Sequence, residues 1–381
     1  VRKKAHADLY DARLGIALLP SRQHMQLRTA PLFLFALAFA CKDSDSKVAP
    51  GAAPQAAASA SASDDVVRLQ GAGASFPAPL YLKWFKAYSA SHQNVQVDYQ
   101  SVGSGSGVKS FIDKTVDFGA SDAAMKPEDV ARVEAGVQLL PMTAGSIVLA
   151  YNVEGMKDLK LSRAAYSGIF LGKITKWNDA AIAKSNPGAT LPDLPINVVV
   201  RADSSGTTFV FSKHLSAISE EFGKSVGTNN MPSWPVGTRS KGNEGVTAGI
   251  KSTPGSIGYI EFGYARSQSL PMATLENKSG AYVAASTASG QAALASATLP
   301  EDMIAWASDP EPKDAYPIVT FTWLLAYKKY ADKRKHDVLV DLLQYGVTDG
   351  QKDAEPLGYI PLPQPVVEKV KAALANIHGE G

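Results

Sequence analysis

Residues 66–90 read VVRLQGAGASFPAPLYLKWFKAYSA, and the order of residue types in this stretch decides the fold class. Residues 66–69 alternate as a short strand, residues 71–76 carry the glycines of a turn, and residues 77–90 follow a helical pattern. Pro77 stands near the first helical position, with Leu80, Trp84 and Tyr88 on one face. The same alternation continues downstream. Residues 95–102 read as a strand, 103–107 as a Gly/Ser loop, 108–114 as a short helix, 116–120 as a strand and 127–134 as a helix. A strand–helix–strand–helix–strand series predicts an α/β fold with a largely parallel sheet. Strands are expected again at 146–151, 196–201 and 318–327, and helices at 163–171, 208–217, 334–345 and 365–377. No repeat of fixed period is visible, which excludes solenoids and propellers.

With 381 residues, 45% of them hydrophobic, the chain is long enough for two lobes with cores of their own. Six basic and two acidic residues lie in the first 41 positions, so the remainder is close to neutral. A nucleic-acid binder would carry a basic stripe or domain, and no such bias occurs here. The single cysteine, Cys41, excludes an internal disulfide and a thiolate metal cluster. It closes the apolar run of residues 32–40, LFLFALAFA, preceded by Met25 and Arg28. The run has the length of a secretory signal and is too short to span a bilayer. Cys41 is therefore expected to be the acylated first residue of a lipoprotein. Ala38 and Phe39 depart from the usual lipobox, which leaves an ordinary signal-peptidase cleavage as the alternative. Residues 42–66 are an Ala-, Ser- and Pro-rich tether that forms no core.

Three segments share one design, in which a strand runs into a loop of Gly with Ser or Thr and then into a helix start: residues 71–76 (GAGASF), 103–107 (GSGSG) and 204–207 (SSGT). Helix N-termini leave backbone N–H groups unpaired at the positive end of the helix dipole, so each junction is a potential anion seat. Ser75, Ser104, Ser205 and Thr207 add hydroxyl donors, and Arg201, ending the strand before the third loop, adds a planar cationic fork. Taken singly, each loop reads equally well as ordinary capping and turn chemistry. Asp122 follows a strand in DFGASD, residues 117–122. A turn or cap role is the plain reading of it. The functional reading is that an ionised carboxylate accepts a hydrogen bond from an anion that still carries a proton, such as phosphate, and repels sulfate, which carries none.

GAGASFPAP (71–79), GSGSGVK (103–109), DFGASD (117–122) and RADSSGT (201–207), with residues 173–178, KGNEG (241–245) and 257–260, resemble the phosphate-binding component of the Pst-type ABC transporter, a periplasmic solute-binding family. The resemblance implies a two-lobed periplasmic-binding fold, with mixed, mostly parallel sheets flanked by helices and a ligand cleft between the lobes. It places residues 1–41 in an upstream extension and signal peptide, 67–144 plus 317–381 in lobe I, and 145–316 in lobe II. It implies Ser75, the backbone N–H of Phe76, Ser104, Asp122, Arg201, Ser205, Gly206 and Thr207 as phosphate ligands, with Asp203 orienting Arg201. Ser75 stands where Thr is common in the family, and Ser204 where Gly is common. The implied partners are inorganic phosphate and an ABC permease with its ATPase in the inner membrane. The chain would act as a monomer, lipid-anchored through Cys41 on the extracytoplasmic face or in the periplasm, with no cofactor, no metal and no catalysis.

Rival readings rest on weaker patterns. Ser106 to Lys109 matches the S-x-x-K of serine acylases, and Lys278 to Gly280 mimics their K-T-G element, but the S-x-N partner is missing. A secreted serine hydrolase or phosphatase using Ser106 or Ser205 is the alternative of a different class, and a receptor for another oxyanion the alternative within the fold. His92, His214, His336 and His378 lack metal-ligand spacing and read as surface or helix-face residues. The scattered tryptophans read as core.

Overall fold

The structure, a computed structural model, describes residues 66–295 and 297–380; the expected signal peptide, Cys41 and nearly all of the tether lie outside them. The first element, β1 (Val67–Gly73), is followed by α1 (Ala78–Ser91), β2 (Val95–Ser101), α2 (Ser104–Ile112) and β3 (Phe118–Ser121). β1 lies between β2 and β3 and runs parallel to both, the arrangement that helical crossovers impose. α1 buries Leu80, Tyr81, Trp84, Phe85 and Tyr88, spaced three and four apart so that they share one face. Phe85 meets Phe118 of β3 edge-on at 5.6 Å.

β1 is longer than the sequence pattern predicts. Residues 71–73 continue the strand instead of turning, pairing with Tyr99 to Ser101 on one side and with Phe118 to Ala120 on the other. Gly71 serves packing there, because a Cβ on it would stand 2.1 Å from the Phe118 ring. The expected loop 103–107 is also different. Only Gly103, at φ 93°, turns the chain, and α2 starts at Ser104. Gly107 lets this helix lie directly on β1, since a Cβ there would come within 2.4 Å of Gly73 Cα.

After β4 (Val137–Asn152) the sheet is completed by β5 (Asn197–Arg201), β6 (Thr238–Ser240), β7 (Ser256–Glu261), β8 (Trp306–Ser308) and β9 (Ile318–Tyr327). The order is β2-β1-β3-β9-β4-β7-β5-β6, with β8 paired to β9. It is a mixed sheet: β9 runs antiparallel to β3 and β4, and β4 antiparallel to β7, whereas β5 is parallel to both β6 and β7. β4 changes partner along its length. Residues up to Ser146 pair with β9, and Ile147 to Asn152 pair with β7. The β4–β9 register shifts between Thr322 and Trp323, opposite Thr143 and Pro141. Pro141 has no N–H for the ladder, and a bulge is where a central strand tolerates it.

Three further helices bear on the site or its support: α3 (Gly206–Ile218), α4 (Gly242–Ser252) and α5 (Lys333–Val347). The C-terminal part of the chain returns to the first strands. Tyr88 donates to Asp341 of α5 at 2.6 Å, and Trp84 Nε1 donates to Gly350 O at 2.7 Å. Among the described residues no helix is long and apolar enough to cross a membrane.

Candidate functional site

The loops singled out in the sequence converge on one another. Ser75, Ser104, Asp122, Arg201, Ser205 and Thr207 are all at most 2% exposed, a degree of burial that polar groups sustain only when hydrogen-bonded. The Ser104 hydroxyl accepts from the Gly206 N–H at 3.0 Å and from the Asp122 N–H at 3.3 Å. Gly105 N–H donates to Ser204 O at 3.0 Å. A Cβ on Gly206 would lie 2.6 Å from Ser104 Oγ and 2.7 Å from Asp122 Cβ, so only glycine allows this approach. Ser205 acts as the N-cap of α3, its hydroxyl accepting from Thr208 N–H at 3.0 Å. Phe76 packs its ring edge-on against Tyr359, whose hydroxyl donates to Phe76 O at 2.7 Å.

Arg201 is held as a fork. Its Nε and Nη2 donate to the two oxygens of Asp203 at 2.8 and 2.5 Å, while Nη1 reaches Thr207 Oγ1 at 3.5 Å. Burial acts against the guanidinium charge, but the Asp203 bonds outweigh it and raise the Arg201 pKa. The same bonds, against partial burial, hold the Asp203 carboxyl below its ordinary range. This bidentate geometry fixes the guanidinium plane through Nε and Nη2 and leaves Nη1, beside Thr207, outside the Asp203 pair.

Asp122 sits across from that cation. Its Oδ1 accepts from Thr322 Oγ1 at 2.9 Å and its Oδ2 from Thr207 Oγ1 at 3.1 Å. Burial pushes the carboxyl up to about 6, opposed by Thr322, Arg201 and Thr207. The group is therefore ionised at neutral pH and protonated in mildly acidic solution.

Two residues that carry the site were not picked out as ligands from the sequence. Asn243, fully buried at the start of α4, donates to Ser75 Oγ through both its backbone N–H (3.0 Å) and Nδ2 (2.9 Å). Its segment, β6, Gly242 at φ 69° and then α4, repeats the strand–glycine–helix design of the other loops, and that repetition was the available signal. Thr322 had none, because it lies in an apolar run and meets Asp122 only through the antiparallel register of β9 on β3, in which Trp323 stands opposite Ser121. Tyr259 braces the end of β5, its hydroxyl accepting from the Arg201 backbone N–H at 3.2 Å and pairing with Thr208 Oγ1 at 2.7 Å.

The serine-acylase pattern is not assembled: Ser106 is exposed on α2, and Lys109 and Lys278 are engaged by Asp113 and Glu311. His214 lies on a helix face, the second of the two readings given to it, and that face points inward. It is buried against the Tyr166 hydroxyl at 2.8 Å, and burial lowers its pKa to about 4. Among the described residues no group of three or more His, Cys, Asp or Glu is placed to hold a metal ion. A recess of about 510 Å³ opens beside the site, bordered by Gly105, Lys109, Ser121, Ser204 and Asn230.

Residues 52–349 match the PBP superfamily domain. A phosphate-binding protein PstS of Pasteurella multocida is 40% identical over 308 residues, covering 80% of this chain and 89% of that one. Another, from Xylella fastidiosa, is 38% identical over 315 residues, 81% of this chain and 85% of its own. A high-affinity periplasmic phosphate-binding protein solved with phosphate bound superposes with a TM-score of 0.66 at 22% identity, over 80% of this chain and 93% of the other, which establishes the likeness of fold. Matching motifs, a matching sheet and these relatives lead to one conclusion: the chain belongs to the PstS family of phosphate-binding proteins, within the PBP superfamily.

Proposed function

We propose that this chain captures inorganic phosphate outside the cytoplasmic membrane and delivers it to an ABC importer without chemical turnover. The observation that carries the reading is the pairing of a buried cation, Arg201, with a buried carboxylate, Asp122, among hydroxyl and backbone donors. A phosphate that retains a proton satisfies both, donating that proton to Asp122 while its charged oxygens face Arg201 and the donors. The ligand set in this reading is Ser75, the Phe76 N–H, Ser104, Asp122, Arg201, Ser205, Gly206 and Thr207. The names of the PstS relatives support the same ligand.

In this reading residues 67–144 plus 317–381 form one lobe and 145–316 the other. The change of partner along β4 after Ser146 and the packing of α5 on α1 support the division. Ligands on both sides are satisfied together only with the cleft closed. The protein acts as a monomer, held at the membrane through an acylated Cys41. Titration calorimetry of the purified protein with phosphate and with sulfate tests the function. Tight phosphate binding, weak sulfate binding and no hydrolysis of a phosphomonoester are expected. Turnover of a phosphomonoester or acyl ester would establish the hydrolase alternative, and equal binding of the two anions would remove the role of Asp122.

A further inference from the structure

Asn243 occupies a position that decides which way two hydroxyl groups in the site can point. Its amide orientation is settled by a backbone group. The Glu261 N–H, which can only donate, meets Asn243 Oδ1 at 2.9 Å, so the oxygen faces Glu261 and Nδ2 faces the site. Nδ2 has two hydrogens, and two oxygens stand before it: Ser75 Oγ at 2.9 Å and Thr207 Oγ1 at 3.3 Å. Ser75 Oγ also accepts from the Asn243 backbone N–H at 3.0 Å.

A serine hydroxyl has two lone pairs and one proton. Both acceptor positions of Ser75 are thus taken by Asn243, and the proton is left to donate elsewhere. Thr207 is treated the same way: its oxygen accepts from Nδ2 and from Arg201 Nη1, and its proton goes to Asp122. We propose that Asn243 is a positioning residue for anion selection, committing the Ser75 hydroxyl to act as a donor so that it does not compete with Asp122 for the ligand's proton. A phosphate then finds an acceptor for its proton at Asp122 and presents an unprotonated oxygen to Ser75. A hydroxyl free to turn its lone pair inward would accept a second proton and blur the distinction between protonation states. Asn243 also ties Ser75, ahead of α1, to Thr207 on α3 and Glu261 at the end of β7, so the same amide holds three segments in register.

The inference rests on the phosphate-capture reading, and a double-mutant cycle separates the two. Phosphate is titrated into wild type, Asn243→Asp, Ser75→Ala and the double variant. Asn243→Asp is isosteric and keeps the acceptor for the Glu261 N–H, but the introduced carboxylate takes the Ser75 proton and reverses that hydroxyl. Phosphate affinity should fall about 10- to 100-fold more from Asn243→Asp when Ser75 is present than when it is Ala. This difference should shrink as the pH is lowered and the introduced carboxyl takes up a proton. A purely electrostatic or structural effect costs the same in both backgrounds, and equal costs would overturn the inference while leaving phosphate capture standing. Wild-type protein that does not bind phosphate would overturn phosphate capture itself. Should Asn243→Asp not fold, Asn243→Ala is read by the same comparison, with a larger loss expected when Ser75 is present and equal losses again overturning the inference.

Discussion

Asp122 Oδ2 accepts a 3.1 Å hydrogen bond from Thr207 Oγ1, a residue 85 positions further along the chain. The bond joins the end of β3 to the first turn of α3, and with it a buried carboxylate across from Arg201 is brought against the third glycine-bearing loop.

Asp122→Asn should shift selectivity from phosphate toward sulfate. The amide keeps the shape, removes a negative charge and supplies a donor for a fully deprotonated oxygen. Phosphate loses an acceptor but is relieved of repulsion, whereas sulfate is only relieved. The ratio of the two dissociation constants, measured by calorimetry, should move toward unity. An unchanged ratio in a folded variant would make Asp122 an ordinary turn residue.

Wild-type protein should bind sulfate better as the pH falls through about 6, where the buried Asp122 carboxyl takes up its proton. Once protonated it donates to the anion instead of repelling it. The sign for stability follows from the same shift. Because the folded carboxyl titrates above its unfolded value of 3.8, its contribution is present below that value and is lost as the pH rises through about 6. Sulfate titrations between mildly acidic and neutral pH check the binding arm, and flat sulfate affinity across this range would count against it.

Arg201→Ala should weaken phosphate binding by about 2 to 5 kcal/mol, since it removes the buried cation and leaves Asp203 without its bidentate partner. Ser104→Ala, which deletes one hydroxyl, should cost about 1 to 3 kcal/mol. Calorimetry of both variants tests the order; a larger loss from Ser104→Ala would show that Arg201 is structural.

Glu261→Gln should stabilise the protein increasingly above pH 4.5. The Glu261 carboxyl is fully buried, accepts from Gly263 N–H at 2.8 Å through Oε1, and burial raises its pKa well above 4.5. The unfolded chain releases this proton at lower pH than the folded chain, so its contribution to stability is present below 4.5 and is lost as the pH rises. Glutamine keeps the acceptor and cannot ionise. The gap in melting temperature between variant and wild type should widen from pH 4.5 to neutrality; a constant gap would mean that the buried carboxyl does not titrate in this way.

Much of the site was legible because its chemistry is local. Glycine next to Ser or Thr between a strand and a helix start marks a backbone that exposes N–H groups, and such segments announced Ser75, Ser104 and Ser205 to Thr207. Arg201 was marked by its place at a strand end before the third loop, whereas the part of Asp203 in holding its fork came only with the family resemblance. The length of β1 was misread because glycine there serves contact with Phe118 and α2, and a sequence does not distinguish a glycine that turns from one that makes room. The helical start at Ser104 was missed for the same reason.

The sequence by itself determined the alternation of strands and helices, the presence of glycine with Ser or Thr at strand–helix junctions and the residue types available for an anion, since these follow from periodicity and backbone preference within a few residues. Only the tertiary structure decided which hydroxyls donate and which accept. The polarity of Ser75 is set by Asn243, 168 positions away, and that of Asn243 by the Glu261 backbone. Asp122 is shaped by Thr322, 200 positions distant. A hydroxyl carries both a proton and lone pairs, so its role is assigned by whatever group the folded chain places against it.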